Sequence, residues 1–370
     1  MKDKILITGI TGFVGSHLAD YILQNKKDYE VFGIKRWHLS NLKNVKHILD
    51  QITLLDCDIT DPISVDKLIK NNNFQIIFHC AAESFVSPSW DHPHRYMSVN
   101  YNGTLNFLES LKNHSPKTLF HIPGSGEEYG EIYENEIPIN TETVLRPVNP
   151  YAVSKIAQDL IGYVYFKSYN LNVIRTRSFN HEGPRREKVF GISWYAYQIA
   201  LIENNLMKPE MEVGGIDDKR NFTHVKDIVE AYWLSVEKCK PGELYLVGSE
   251  EDEKNTFTFR EALETLINMS NTGNYSFRIY TSVNNDGNPR NDTILANVTH
   301  IPTVSSYPYN EDFEGGNGSW TTYGANSSWA HGTPNAPFIT NAAGGNNAWV
   351  TNLTGDYNNS ELSYLESPCM

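Results

Sequence analysis

Short apolar runs and longer amphipathic stretches alternate along the first 270 residues of this chain. Such alternation is typical of βα units arranged around a parallel sheet. The predicted strands are Lys4–Thr8, Glu30–Ile34, Ile52–Cys57, Gln75–Cys80, Thr118–Ile122, Asn172–Ser178 and Leu244–Val247. The amphipathic stretches include Val14–Gln24, Gly103–Leu111 and Tyr151–Phe166. We therefore expect an α/β fold with a doubly wound parallel sheet.

The pattern changes abruptly near Ser270. Residues 271–370 contain 17 Asn, no Lys and only two Arg. Short strand-like runs are separated there by Asn, Gly and Ser, which predicts strands and turns. Three tryptophans indicate that the segment packs rather than forming a linker. We therefore expect an all-β module over 271–370, of different origin from the α/β domain over 1–270.

Charge and composition exclude several classes of function. The formal net charge of −13 argues against nonspecific binding to nucleic acid or to an anionic membrane surface. No apolar run is long enough to span a membrane, and the N-terminal residues do not resemble a signal peptide. The four cysteines form no CxxC pair, so we expect neither a metal site nor a disulfide framework. A cytoplasmic protein without nucleic-acid or membrane partners is predicted.

A glycine-rich turn follows the first predicted strand and precedes a helix. Gly9 permits the tight turn, and Gly12 lets the backbone approach a pyrophosphate. Gly15 lets the helix pack closely on the strand, and the helix N-terminus attracts phosphate. This context predicts a dinucleotide site that includes Phe13 and Val14, although a merely tight βα turn is the alternative.

The end of the second predicted strand bears on the choice of cofactor. An acidic residue there would bind the ribose 2′-hydroxyl of NAD. This chain has Lys35 and Arg36 instead, which favours the 2′-phosphate of NADP over NAD. A solvated basic turn is the alternative. After the third strand, Asp58 and Ile59 are predicted to lie at the adenine, with a helix cap as the alternative for Asp58.

Tyr151 and Lys155 lie at the start of a predicted helix. Asn149 can cap that helix and Pro150 can occupy its first turn. The spacing of four residues puts the phenol and the ammonium on one face. A nearby cation favours phenolate and lowers a tyrosine pKa from about 10. Tyr151 is therefore predicted to act as a base toward a sugar hydroxyl.

Position distinguishes this pair from Tyr163 and Lys167, which have the same spacing on the same helix. The fifth predicted strand runs into a turn that contains Ser125 and Glu127, at the sheet edge where ligands bind in open α/β folds. Ser125 can hydrogen-bond the reacting oxygen, and Glu127 can move a proton. The predicted catalytic residues are Ser125, Glu127, Tyr151 and Lys155.

Several motifs occur together in residues 1–270. They are Thr8-Gly9-x-x-Gly12-Phe-x-Gly15, His79-Cys-Ala-Ala82, Asn100-x-x-Gly103-Thr104, Ser125-x-Glu127-x-Tyr129-Gly130 and Tyr151-x-x-x-Lys155. Together they resemble the extended short-chain dehydrogenase/reductases (NAD-dependent epimerase/dehydratase family). Gly33–Arg36, Phe179–Arg186 and Val213–Asp227 are most similar to the GDP-mannose 4,6-dehydratases and the GDP-4-keto-6-deoxymannose reductases. The resemblance implies a Rossmann-like fold, a GDP-sugar substrate and a homodimer or homotetramer.

The resemblance also implies roles for individual residues. It implies that Ser125, Tyr151 and Lys155 form a hydroxyl–tyrosine–lysine triad and that Glu127 is the dehydratase carboxylate. The further implied cofactor contacts are Ala81, Ala82 and Asn100. The implied substrate contacts are Ser84, Asn180, Arg185 and Arg220, with Arg220 on the diphosphate.

The reaction implied is conversion of GDP-mannose to GDP-4-keto-6-deoxymannose through transient oxidation at C4 by NADP⁺. Tyr151 deprotonates the C4 hydroxyl, and Glu127 removes the C5 proton as the C6 hydroxyl leaves; hydride then returns to C6. Dehydratases usually carry a polar side chain where this chain has Gly126, and Ser-Gly-acid also resembles the reductases. A GDP-4-keto-6-deoxymannose reductase, or another NDP-sugar epimerase or reductase, is therefore the alternative. An inactive nucleotide-binding remnant or a surface-binding β module is the alternative of another class.

The predicted substrate lobe comprises residues of about 181–220 and 250–270. In the family the lobe continues past the helix predicted at Arg260–Met269, with a further strand and an Arg-Pro…Trp-x-Pro segment that we do not identify here. Residues from about Phe313 to Cys369 instead resemble secreted bacterial β-sandwich modules. We therefore expect a truncated lobe, with the chain a chimera joined near residue 270.

Overall fold

The computed structural model describes residues 2–208, 210–249, 256–268, 274–280, 293–299, 312–317, 320–336, 339–342, 345–355 and 360–366. The chain divides into two units, Met1–Gln198 with Gly214–Ala262, and Ile199–Val213 with Leu263–Met370. None of the helices described has both the length and the apolar character that crossing a bilayer requires.

Strands and helices alternate through the first unit. The strands among the described residues are β1 (Asp3–Thr8), β2 (Tyr29–Lys35), β3 (Ile52–Asp56), β4 (Ile76–His79), β5 (Leu119–Ser125), β6 (Val173–Ser178), β7 (Asn180–Glu182), β8 (Met211–Glu212), β9 (Lys219–His224), β10 (Leu244–Val247), β11 (Thr256–Thr258), β12 (Asn274–Tyr280), β13 (Thr293–Thr299), β14 (Thr321–Ala325), β15 (Trp329–Gly332), β16 (Ala348–Thr351) and β17 (Leu362–Glu366). The helices are α1 (Phe13–Asn25), α2 (Pro62–Asn71), α3 (Pro93–Tyr96), α4 (Gly103–His114), α5 (Pro150–Tyr169), α6 (Gly191–Glu203), α7 (Val225–Lys238) and α8 (Phe259–Asn268).

A parallel sheet of seven strands forms the centre of the first unit, in the order β10-β6-β5-β4-β1-β2-β3. These are the seven strands that the sequence predicts, so the doubly wound α/β fold is confirmed. The strand order reverses between β1 and β4, where Ile7 pairs with Phe78. Open α/β sheets bind ligands beyond the carboxyl ends of their strands at such a reversal.

The core lies on both faces of this sheet. On β1, Leu6 belongs to a buried cluster with residues of α2 and α4, whereas Ile5 and Ile7 belong to a second cluster with residues of α1 and α7. All three side chains are fully buried. A strand buried on both faces reads as a continuous apolar run, which explains why β1 is predictable from its sequence.

Helix α5 begins and ends where its terminal residues dictate. The Asn149 Oδ1 accepts from the Ala152 N–H at 2.8 Å, and Pro150 occupies the first turn, as predicted. The helix ends at Asn170, which adopts a left-handed backbone conformation with φ of 55°. Asparagine tolerates that conformation better than most residues. The start of α5 is therefore fixed at the residues that carry the predicted chemistry.

The described part of the second unit beyond α8 contains strands, which confirms the all-β character predicted there. β14 pairs with β17 and β15 pairs with β16, both antiparallel. β12 pairs in parallel with the short strand β8 and antiparallel with β13. A strand that pairs with β8 thus follows α8, and the truncation of the substrate lobe stays a prediction. The Tyr, Phe and Ile of β12 alternate with other residues, a strand pattern that the Asn-rich surroundings obscured.

Candidate active site

A cleft of about 1230 Å³ lies in the first unit, beyond the carboxyl ends of the central strands. All but three of the predicted site residues line it. Those that line it are Gly9, Gly12, Phe13, Val14, Gly15, Arg36, Asp58, Ile59, Ala81, Ala82, Ser84, Ser125, Glu127, Tyr151, Asn180 and Arg220. Asn100, Lys155 and Arg185 do not line the cleft.

The glycine turn forms one end of the cleft. A Cβ on Gly15 would lie 2.3 Å from the Gly9 carbonyl oxygen, and one on Gly9 would lie 2.9 Å from the Ala81 backbone nitrogen. Gly9 also has a left-handed φ of 68°. Helix α1 starts after Gly12 without a side-chain cap or an acidic residue in its first turn. Its N–H groups and partial positive charge suit a diphosphate, so the turn fits a dinucleotide.

The next strand ends bring positive charge to this part of the cleft. The Lys35 ammonium pairs with the Asp56 carboxylate. Arg36 lines the cleft and forms no ion pair with the described residues. Asp58 accepts from the Thr60 N–H at 2.9 Å and lines the cleft, whereas Asp61 caps α2. Of the alternatives predicted for Asp58, the helix cap is therefore wrong.

Asn100 lies behind the cleft wall and holds the loop after β4 by hydrogen bonds. It is fully buried, and its Oδ1 accepts from the Glu83 N–H at 2.9 Å. Its Nδ2 donates to the Glu83 carbonyl at 3.0 Å and to the Ser154 hydroxyl at 2.9 Å. Asn100 thus holds the loop after β4, where Ala82 and Ser84 line the cleft, against helix α5.

Ser125 and Glu127 come from the end of β5 and the single 3₁₀ turn Gly126–Glu128. The Ser125 hydroxyl accepts from the Glu127 N–H at 3.2 Å. The Glu127 carboxylate accepts from Asn149 Nδ2 at 3.2 Å, and the same Asn149 caps α5. This link brings the carboxylate to the start of the helix that carries Tyr151. The sequence indicated Asn149 as a cap but gave no sign of its contact with Glu127.

The Tyr151 phenol is buried at the floor of the cleft. Burial raises the pKa of Tyr151 to about 12, whereas its hydrogen bond with Ser125 and the Arg186 guanidinium lower it. The net shift is upward, so the predicted lowering of this pKa below about 10 is not found in this structure. The Lys155 ammonium donates to the Pro123 carbonyl at 2.6 Å and to the Gln158 side chain. It lies beneath the cleft, and burial lowers its own pKa.

The predicted substrate contacts divide into two groups. Asn180 and Arg220 line the cleft, and so does Lys219 beside Arg220. Arg185 instead forms an ion pair with Asp20 at 2.7 Å, outside the cleft lining. Its backbone has a left-handed φ of 71°, so adjacent side chains in this loop point in different directions.

The next residue, Arg186, lines the cleft where Arg185 was predicted to act. Its guanidinium lies 3.8 Å from the ring centroid of Phe190 and 5.0 Å from that of Phe13. Contact with two aromatic rings holds the cation in place. The sequence shows two consecutive arginines, and no sequence signal distinguishes the one that faces the cleft.

A buried charged cluster beneath the cleft was also missed. Glu128, Arg177, Asp159 and Arg175 are joined by ion pairs of 2.6–2.8 Å and are almost fully buried. The available signal was the pair of arginines in strand β6, whose six residues are all buried. Buried charges are nearly always paired, so arginines in a buried strand predict carboxylate partners.

The family model described as GDP-mannose 4,6 dehydratase matches residues 6–291. The chain belongs to this family. The match continues past residue 270, so the boundary predicted there does not coincide with the end of the family match.

Named relatives include both a reductase and a dehydratase. The GDP-6-deoxy-D-mannose reductase of Pseudomonas aeruginosa is 30% identical over 73% of this chain and 81% of its own length. The GDP-mannose 4,6 dehydratase of Drosophila melanogaster is 33% identical over 71% of this chain and 67% of its own length.

Two solved structures share the fold. The Pseudomonas aeruginosa protein RMD, complexed with NADPH, has a TM-score of 0.64 and 27% identity, covering 78% of this chain and 88% of its own. The dTDP-glucose 4,6-dehydratase of Bacillus anthracis, in complex with NAD, has a TM-score of 0.64 and 28% identity. The match covers 76% of this chain and 85% of the Bacillus anthracis chain. The extended short-chain dehydrogenase/reductase fold predicted from the motifs is thus confirmed.

The contact between Gly9 and Gly15 gives a direct test of the cofactor end. Gly15→Ala should lower the free energy of unfolding by about 1–3 kcal/mol, because the added methyl group forces α1 away from β1. It should also abolish the rise in melting temperature that we expect from a nicotinamide dinucleotide. Gly214→Ala is the matched control, since nothing lies within 4 Å of its added Cβ. Equal melting temperatures and equal dinucleotide-induced shifts in the two variants would contradict this account.

Proposed function

We propose that this chain dehydrates GDP-mannose to GDP-4-keto-6-deoxymannose with NADP⁺ as cofactor. The observation that carries the proposal is that Ser125, Glu127 and Tyr151 line one cleft in a member of this family. A hydroxyl, a carboxylate and a phenol are the groups that oxidation at C4 and elimination across C5 and C6 require. The dehydratases among the named relatives support the same reaction.

Two parts of the cleft suit the two diphosphates. The glycine turn and the N-terminus of α1 would hold the pyrophosphate of the cofactor. Lys219 and Arg220, which also line the cleft, would hold the diphosphate of the GDP-sugar. Asn180 and Ser84 would hydrogen-bond the substrate. When bound, NADP⁺ supplies an oxidant for C4 and a reductant for C6, so no external oxidant is consumed.

The protein groups carry the protons. Tyr151, as the phenolate, takes the proton of the C4 hydroxyl, and the Ser125 hydroxyl donates a hydrogen bond to that oxygen. The C4 ketone makes the C5 proton acidic; Glu127 removes it and passes a proton to the C6 hydroxyl, which departs as water. After reduction at C6, C5 takes a proton from solvent, and Tyr151 releases the proton that it took from the C4 hydroxyl. Asn149 Nδ2, at 3.2 Å from Glu127, holds the carboxylate in position for this transfer. One water is lost from the hexose.

Glu127 provides the sharpest test of the proposed dehydration. Glu127→Gln keeps the size of the side chain but removes the base, so loss of water from GDP-mannose should fall by about 100-fold or more. The NADP⁺-induced rise in melting temperature should persist. Glu134→Gln, an exposed glutamate outside the cleft lining, is the control and should keep wild-type turnover. Normal water elimination by Glu127→Gln would contradict the role of this carboxylate.

Reduction of the 4-keto sugar is the second candidate, and Gly126 favours it. A Cβ at Gly126 would lie 2.8 Å from the Phe179 ring, so the position before Glu127 has no room for the polar side chain usual in dehydratases. The Glu127→Gln variant separates the two reactions, because reduction at C4 requires no elimination base. NADPH-dependent reduction of GDP-4-keto-6-deoxymannose that survives this substitution would favour the reductase.

Arg36 is proposed to select NADP over NAD through the 2′-phosphate. Arg36→Asp should lower the ratio of kcat/KM for NADP⁺ to that for NAD⁺ by about tenfold or more, because a charge-assisted hydrogen bond is replaced by repulsion. Lys46→Asp makes the same charge change at an exposed position outside the cleft lining and should leave the ratio unchanged. An unchanged ratio for Arg36→Asp would refute the phosphate contact.

Several expectations from the sequence stay predictions. They are the homodimer or homotetramer, the cytoplasmic location, and the separate origin of residues 271–370. The roles of the individual site residues belong to the present proposal.

A further inference from the structure

Glu128 lies next to the proposed elimination base but faces the opposite way. Its side chain is fully buried and does not line the cleft, whereas Glu127 does. Burial raises the pKa of Glu128, and the Arg177 guanidinium opposes that rise. A buried carboxylate one residue from a catalytic one calls for an explanation, because burying a charge is costly.

The Glu128 carboxylate uses both oxygens to hold the catalytic turn. Oε1 accepts from the Ser125 N–H at 2.8 Å, and Oε2 accepts from Arg177 Nε at 2.8 Å. The Ser125 hydroxyl in turn accepts from the Glu127 N–H. Side chains at both ends of the turn therefore accept hydrogen bonds from its backbone. A Cβ on Gly124 would lie 2.5 Å from Oε1, which shows how closely the backbone fits this carboxylate.

The same cluster reaches the catalytic helix. Arg177 Nη2 pairs with Asp159 Oδ2 at 2.6 Å, and Arg175 Nη1 pairs with Asp159 Oδ1 at 2.8 Å. Asp159 lies on α5, one helical turn after Lys155. The cluster therefore joins the turn after β5, strand β6 and helix α5, and two of these three elements carry the proposed catalytic groups.

We propose that Glu128 is a positioning residue, whose bridge from the Ser125 N–H through Arg177 to Asp159 fixes Ser125 and Glu127 against Tyr151. The inference rests on the proposed function. Replacing a buried ion pair by apolar side chains of similar size is often neutral or stabilising. Stability therefore does not account for this cluster, whereas alignment of the reacting groups does, since a misplacement of about 1 Å can cost about 100-fold in rate.

The double variant Glu128→Leu/Arg177→Met separates positioning from stability. It removes two ion pairs, Glu128–Arg177 and Arg177–Asp159, and leaves Asp159 paired with Arg175, so no buried charge loses its last partner. We expect an unchanged or higher melting temperature, an unchanged NADP⁺-induced shift and an unchanged KM for GDP-mannose. We expect kcat to fall by about 100-fold and amide exchange at Ser125 to become faster.

Two further variants serve as references. Lys26→Met/Glu237→Leu removes an exposed ion pair of 2.9 Å between the residue that follows α1 and helix α7, outside the cleft lining, and should behave as wild type. Glu128→Gln can still accept from the Ser125 N–H, so we expect it to keep the slow amide exchange and to lose less kcat than the double variant. It also provides the test if the double variant does not fold.

The outcomes distinguish this inference from the proposed function. A wild-type kcat in Glu128→Leu/Arg177→Met would overturn the positioning role. A lower kcat together with a higher KM and a lower melting temperature would also overturn it. Equal losses of kcat in Glu128→Gln and the double variant, with Ser125 still protected in Glu128→Gln, would also overturn it. If the wild-type chain does not convert GDP-mannose, the proposed function fails, and amide exchange alone decides. Faster exchange at Ser125 in the double variant would then support the inference, and unchanged exchange would overturn it.

Discussion

The contact between the backbones of Gly9 and Gly15 is the constraint on which the cleft depends. A Cβ on Gly15 would lie 2.3 Å from the Gly9 oxygen, so α1 can start directly above β1 only without a side chain there. The contact places the N-terminus of α1 at the reversal of strand order, beside the ends of β1 and β4. The same approach brings Gly9 against Ala81, so the floor of the dinucleotide site is backbone on both sides.

At the Tyr151 end of the cleft, buried and partly buried charges surround the phenol. The phenol of Tyr151 is buried and its pKa is raised, so the protein must supply positive potential and hydrogen bonds before Tyr151 can act as the proposed base. Ser125 and Arg186 provide these in the structure, while Lys155 lies beneath, bonded to the carbonyl of Pro123. The proposed catalytic edge therefore combines the Arg186 cation in the cleft with the Lys155 ammonium and paired carboxylates below it.

Most of the central sheet and the position of the glycine turn can be predicted from the sequence, whereas several contacts within the cleft cannot. The seven strands are predictable because buried parallel strands are continuous apolar runs. The glycine turn is predictable because the close approach of the Gly9 and Gly15 backbones requires glycine at that spacing. The choice of Arg186 over Arg185 is not predictable, since it depends on a left-handed φ at Arg185. Lys155 lies in the predicted helix, but its hydrogen-bond partner follows from the tertiary position of Pro123. Strands were predicted beyond residue 270, but the bounds of β12 were not, because no motif marks them in the Asn-rich segment.

Water loss without net oxidation is the central claim, and one experiment measures it directly. The purified chain is incubated with GDP-mannose and a catalytic amount of NADP⁺ in D₂O, and the nucleotide sugar is analysed by mass spectrometry and NMR. The account predicts a product that has lost one water and carries one deuterium from solvent at C5, with no accumulation of NADPH. Unchanged GDP-mannose, or a product formed only with stoichiometric consumption of cofactor, would contradict it.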